Sequence, residues 1–118
     1  MPYVDGFLLP IPRRNIERYK KMARLAAKVW REHGALEYCE CLGDDVKRGK
    51  LTSFPQSVKA KRGETVVFAW IRYRSRAHRD RVMAKVMKDP RVTGMASEKM
   101  PFDAKRMFFG GVELIVDV

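Results

Sequence analysis

The sequence has little cysteine, little histidine, a shortage of acidic side chains and no long apolar run. Its two cysteines, Cys39 and Cys41, stand two apart on one predicted strand, so they share a face and are poorly placed to bond to each other. They read as reduced thiols. The competing reading, a Cys-x-Cys metal half-site, lacks its second half, because there is no other cysteine pair and neither His33 nor His78 is close in sequence. No metal and no cofactor is therefore expected. No apolar run approaches the roughly 20 residues that a membrane-spanning helix needs, and the N-terminal segment lacks a basic stretch followed by an apolar one. The expectation is a cytoplasmic protein without a membrane partner. The acidic deficit is large, 14 Asp and Glu against 25 Lys and Arg, for a net charge of +11. Such a balance favours loose contact with polyanions and says nothing about fold.

What the sequence does have is apolar content, 46% of 118 residues, enough for one domain spanning 1–118. Its centre is Thr65 to Tyr73, TVVFAWIRY, a β-branched and aromatic stretch between Gly63 and Ser75. Side chains alternate along a strand, so Thr65, Val67, Ala69, Ile71 and Tyr73 face one way and Val66, Phe68, Trp70 and Arg72 the other. Both sets are mostly apolar. Such a strand needs two covers.

Tyr3 to Ile11 reads as the first strand, with Gly6 marking a bulge or a close approach. Asn15 is a candidate cap for a helix running to about Glu32, with Ile16, Tyr19, Ala23, Ala26, Ala27 and Trp30 as its apolar stripe and Gly34 as its stop. Its other face carries Arg18, Lys20, Lys21, Arg24, Lys28 and Arg31, a solvated surface before it is a binding one. Ala35 to Leu42 is the second strand, and Gly43 to Gly49 a charged loop. Ser53 is placed to cap a short helix from Phe54 to Lys61, although Ser57, Val58 and Ala60 also suit a brief strand. After the central strand, Ser75 caps a helix ending near Lys88, stopped by Asp89-Pro90. Residues 91–100 read as a loop with at most one helical turn around Ala96 to Lys99. Lys105 to Val116 is the last strand, with a bulge at Gly110-Gly111.

This order predicts an α+β fold, the ferredoxin-like βαββαβ pattern of four antiparallel strands with two helices on one face. The second sheet face then carries Phe68, Trp70, Phe108 and Val112 with no cover from the chain. A face of that kind is a partner site, and a second copy of the same sheet is the simplest partner. The prediction is a homodimer built face to face, with Phe68, Trp70, Phe108 and Val112 at the interface.

YVDGF at 3–7, VKAKRGETVVFAWIRYRS at 58–75, RDRVMAKVMKDPRV at 79–92 and MPFDAKRMFFGG at 100–111 together resemble the YbaA-like family, short bacterial proteins grouped as a domain of unknown function. The resemblance spans nearly the whole chain. It implies a dimeric α/β barrel, in which two ferredoxin-like sheets close on each other, and it brings no activity and no catalytic residues. Dimeric barrels elsewhere use a pocket histidine as a base or an iron ligand. His33 at one helix end and His78 in the first turn of the other helix lie off the strands, so neither chemistry is expected here.

A small-molecule site, if present, belongs in the cleft between sheet and helices or in the barrel lumen. The polar or amphipathic candidates on or beside the strands are Asp5, Glu40, Lys59, Trp70, Tyr73, Asp103, Lys105 and Arg106. Asp103 with Lys105 and Arg106 is the densest group: a carboxylate beside Arg could act as a base, and Arg could hold an acidic substrate. The competing reading is a structural ion-pair network at the start of the last strand. Three functions stay open: a cofactor-independent binder or converter of a small acidic or aromatic molecule, a basic nucleic-acid-associated protein, and a dimerisation module without ligand. For nucleic acid, Phe68, Trp70 and Phe108 are suited to stacking bases, but the Lys/Arg-Gly-Phe type of signature is absent and dimerisation would consume the face. Only weak, salt-sensitive binding by helix-borne Lys and Arg would remain.

Overall fold

The computed structural model describes residues 1–118, and its central strand is the one the sequence predicts. β3 (Glu64–Tyr73) pairs antiparallel along its whole length with β1 (Tyr3–Pro12), and on its other side with β2 (Glu37–Leu42). β4 (Phe108–Glu113) pairs antiparallel with the free side of β1. The order is β2-β3-β1-β4, a ferredoxin-like sheet that stays open, with β2 and β4 as its edges. The connections carry α1 (Ile16–Glu32), α2 (Phe54–Ser57), α3 (Arg76–Val86) and α4 (Pro90–Ala96).

The alternation along β3 decides where the core sits. Thr65, Val67, Ala69, Ile71 and Tyr73 are all buried against the helical layer. One cluster joins Val29 of α1 and Val82 and Val86 of α3 to Tyr3, Ile71 and Tyr73; a second joins Tyr19 and Phe102 to Leu9, Ile11, Val67 and Ala69. Each buried Val, Leu, Ile or Phe among them contributes about 1.5–3 kcal/mol by leaving water. The opposite face is less bare than the sequence suggests. Leu8, Val58 and Val66 form a third buried cluster, because the connection from β2 to β3 folds back over one end of that face. Beyond it Phe68, Phe108 and Val112 stay 42%, 50% and 57% exposed.

Several boundaries move for local reasons. Asn15 does not cap α1: it ends a 3₁₀ turn, and its side-chain amide donates to the Pro101 carbonyl at 2.8 Å instead. Gly34 does end α1, with φ of 116° that a side chain would resist. Ser53 and Ser75 cap α2 and α3 by accepting from Gln56 and His78 N–H groups. α2 is a single turn and does not reach Lys61, because Lys59 adopts a left-handed φ of 52°. Asp89-Pro90 stops α3 as predicted but also starts α4, since proline suits a first helical turn; residues 90–96 are therefore helix where a loop was expected. Lys105 and Arg106 lie in a 3₁₀ turn before β4. There is no bulge at Gly110-Gly111: β4 runs in one-to-one register from Leu8↔Phe108 to Tyr3↔Glu113. Gly111 is needed for a different reason, because a Cβ there would collide with the Tyr3 phenol.

Candidate functional site

A cavity of about 420 Å³ lies between the helical layer and the sheet. Phe7, Tyr38, Glu40, Ala69 and Ile71 line it from the strands, and Met22, Ala26 and Trp30 from α1. Met87, Met95, Met100 and Met107 line it from the segment that follows α3. Glu40 is the one charged residue in this lining. Its position follows from strand geometry: Tyr38 and Glu40 share a face two residues apart, and the register sets them beside Ile71 and Ala69. The Tyr38 hydroxyl donates to Glu40 Oε2 at 2.9 Å, and the Tyr19 hydroxyl, from α1, donates to Oε1. Burial, reinforced by the Glu40 charge, pushes both phenols well above the usual tyrosine range. Both therefore stay protonated donors. Each carboxylate oxygen keeps a further lone pair for another donor.

A second polar group is buried deeper under the sheet. Asp5, 5% exposed, accepts from Arg79 Nη1 at 2.7 Å, and that guanidinium lies 5.1 Å over the Tyr3 ring. Burial pushes the Asp5 carboxyl upward despite the opposing pull of Arg79. The Tyr73 hydroxyl lies beside Asp5 and Trp30 but in hydrogen-bond geometry with neither, and the Trp30 indole N–H is also buried and unpaired. Trp30 in turn packs 5.9 Å from Tyr38, so aromatic rings run from the cavity to Asp5.

The eight candidates from the sequence thus separate into four places. Glu40 lines the cavity, and Asp5 and Tyr73 lie in the buried cluster behind it. Trp70 is on the opposite sheet face, tilted 5.9 Å from Phe68, with its indole donating to Glu37 at 2.6 Å. The remaining four gather around Arg106. Its guanidinium grips Glu64 with two bonds of 2.8 Å, Asp103 at 3.0 Å and the Lys59 carbonyl at 3.0 Å, while Lys105 gives its backbone N–H to Asp103. Pairing with Arg106 holds the Glu64 and Asp103 carboxyls below their usual range. This network ties the turn before β4 to the start of β3, outside the cavity lining. On the open face a wide groove of about 970 Å³ is lined by Leu8, Phe54, Phe68, Phe108 and Val112. The basic residues named on α1 are all exposed.

Comparison with known proteins settles the family. The family described as "Protein of unknown function (DUF1428)" matches residues 2–104. The chain belongs to it. It is 47% identical over 117 residues to the "Uncharacterized protein YbaA" of Escherichia coli (strain K12), covering 99% of each chain, and equally similar to that of Shigella flexneri. Two solved structures share the fold of this DUF1428 chain. One is Rv0793 from Mycobacterium tuberculosis, with TM-score 0.54 and 13% identity over 99% of this chain and 98% of that one. The other, a "dimeric ferredoxin-like protein" from an uncultured marine organism, has TM-score 0.53 and 14% identity over the full length of both chains.

The features of the DUF1428 chain that sequence reasoning missed come from distant pairings. Arg79 meets Asp5 across 74 positions, and Tyr19 meets Glu40 across 21. Only Tyr38 was within reach, because its spacing from Glu40 already puts both on one strand face. No helix is long and apolar enough to cross a membrane. No group of three or more His, Cys, Asp or Glu side chains gathers as a metal site would require. Chemically, the cavity offers an apolar volume, one carboxylate with free lone pairs, and two phenols fixed upon it.

Proposed function

We propose that the protein binds a small, mostly apolar molecule, aromatic or aliphatic, in the cavity between α1, α4 and the sheet, and that it does so as a homodimer. The observation that carries this reading is the placement of a single carboxylate, Glu40, in a methionine-rich apolar cavity of about 420 Å³. That volume is within the usual range for small-molecule sites, and apolar walls with one or two oriented polar groups are their usual construction. Five flexible methionines let such walls fit ligands of different outline. Glu40 already holds the Tyr19 and Tyr38 hydroxyls, and it has room to accept from a ligand hydroxyl or amine where the ligand brings one. No Lys or Arg lines this cavity, so nothing within it compensates an acidic group placed next to Glu40.

The dimer half rests on the exposed Phe68, Phe108 and Val112 side chains and their groove, which the second copy's sheet would cover. The marine protein of the same fold, itself dimeric, supports it.

A thermal-shift screen of small aromatic and aliphatic compounds tests the binding claim, run on the natural chain and on Ala26→Phe, whose larger side chain projects into the cavity and obstructs it. Compounds that stabilise the first and not the second support it. Compounds that stabilise both equally place binding elsewhere and contradict it.

A further inference from the structure

A second cavity of about 380 Å³ lies against the outside of the first. Met22, Met95 and Met100 line both, so the two share a wall of methionine side chains. The outer cavity has the opposite character. Arg18, Lys21 and Lys99 line it, with Glu98 as the one opposing carboxylate, and all four are exposed. Arg18 is held in place by donating to the Lys99 carbonyl, which leaves the rest of its guanidinium free.

We propose that the two cavities form one site for an amphipathic carboxylic acid, its apolar chain in the inner cavity and its carboxylate among Arg18, Lys21 and Lys99. This rests on the inner cavity being a ligand site, and it adds the ligand's class and direction. The direction follows from charge: Glu40 repels a carboxylate at the inner end, while three cations attract one at the outer end. The wall between is suited to parting. Methionine is unbranched, with several rotatable bonds and an apolar, polarisable sulfur, so its side chains move aside for a chain and repack along it. An amine in the same orientation would meet the cations, and a fully apolar molecule would leave them unused.

Trp30 lines the inner cavity and the sequence has two tryptophans, so Trp70→Phe leaves Trp30 as the only indole reporter. In that background, decanoate and decanol are titrated below micelle-forming concentrations while Trp30 emission is followed, with and without the surface substitutions Lys21→Ala and Lys99→Ala. The expected result is that the double substitution weakens decanoate by about fivefold and leaves decanol unchanged. Added salt narrows the same difference. If the substitutions leave decanoate unchanged, or if only decanol binds, the head-group assignment is overturned and the inner cavity remains a binding site. If neither compound changes Trp30 emission, the amphipathic-acid assignment is overturned, and the Ala26→Phe comparison separately judges the inner cavity.

Discussion

Tyr38 donates to Glu40 at 2.9 Å from two positions back on the same strand, while Tyr19 reaches the other carboxylate oxygen from α1. The carboxylate is thereby fixed between sheet and helix, and the helix is fastened to the edge strand. Hydrogen bonds to a charged acceptor typically contribute about 1.5–3 kcal/mol. Tyr19→Phe should therefore destabilise the protein by about 2 kcal/mol in urea unfolding, with the slope unchanged. A loss below about 0.5 kcal/mol would mean that Glu40 is satisfied without that hydroxyl.

Asp5 is buried and its partner Arg79 is half-buried, so removing Arg79 strands the Asp5 charge. Arg79→Met should cost about 3–5 kcal/mol, and adding Asp5→Leu should recover much of it. Recovery also has a pH signature. Burial raises the Asp5 carboxyl in the folded state, so protonation favours folding and the Arg79→Met protein should gain stability as pH falls through that range. A double variant as damaged as the sum of its parts would contradict this.

Glu64 behaves with the opposite sign. Its bonds to Arg106 hold its carboxyl below the ordinary glutamate value of 4.5, so its contribution is full above that pH and is lost as pH falls through the lowered folded value. Glu64→Gln should flatten the acid side of the stability-pH curve and leave the basic side parallel to that of the natural chain. An unchanged acid side would mean that the Arg106 network contributes nothing in solution.

The exposed aromatics of the open sheet face give the dimer its test. Phe68 is 42% exposed in the single chain, so an aspartate there is tolerated by a monomer but is buried and unpaired in a face-to-face dimer. Light scattering should report twice the chain mass for the natural protein and one chain mass for Phe68→Asp. A natural protein with the mass of one chain would end the dimer claim.

The fold was legible because its signals are local. TVVFAWIRY, the capping serines and Gly34 each act within a few residues, and together they leave the ferredoxin-like order as the economical arrangement. The errors came where one residue type serves two ends. Pro90 stops one helix and begins another, and Gly110-Gly111 suggested a bulge although Gly111 makes room for the Tyr3 side chain on the neighbouring strand. The site was less legible. Glu40, Asp5 and Tyr73 stood out as polar groups on strands, but the side chains that meet them, Tyr19, Arg79 and Trp30, come from helices, and a sequence does not say which helix turn lies over which strand. The Asp103, Lys105 and Arg106 group was visible as a charge cluster, while its main partner, Glu64, lies 42 positions from Arg106.

The most direct test of the ligand cavity uses the methionines themselves. Of seven in the chain, Met22, Met87, Met95, Met100 and Met107 line it, and Met1 and Met83 do not. With methyl-labelled methionine, a binding compound from the thermal-shift screen should move the five cavity resonances in NMR spectra and leave those of Met1 and Met83 in place. Compounds that bind while the five stay still would show that the cavity is not where this protein takes its ligand.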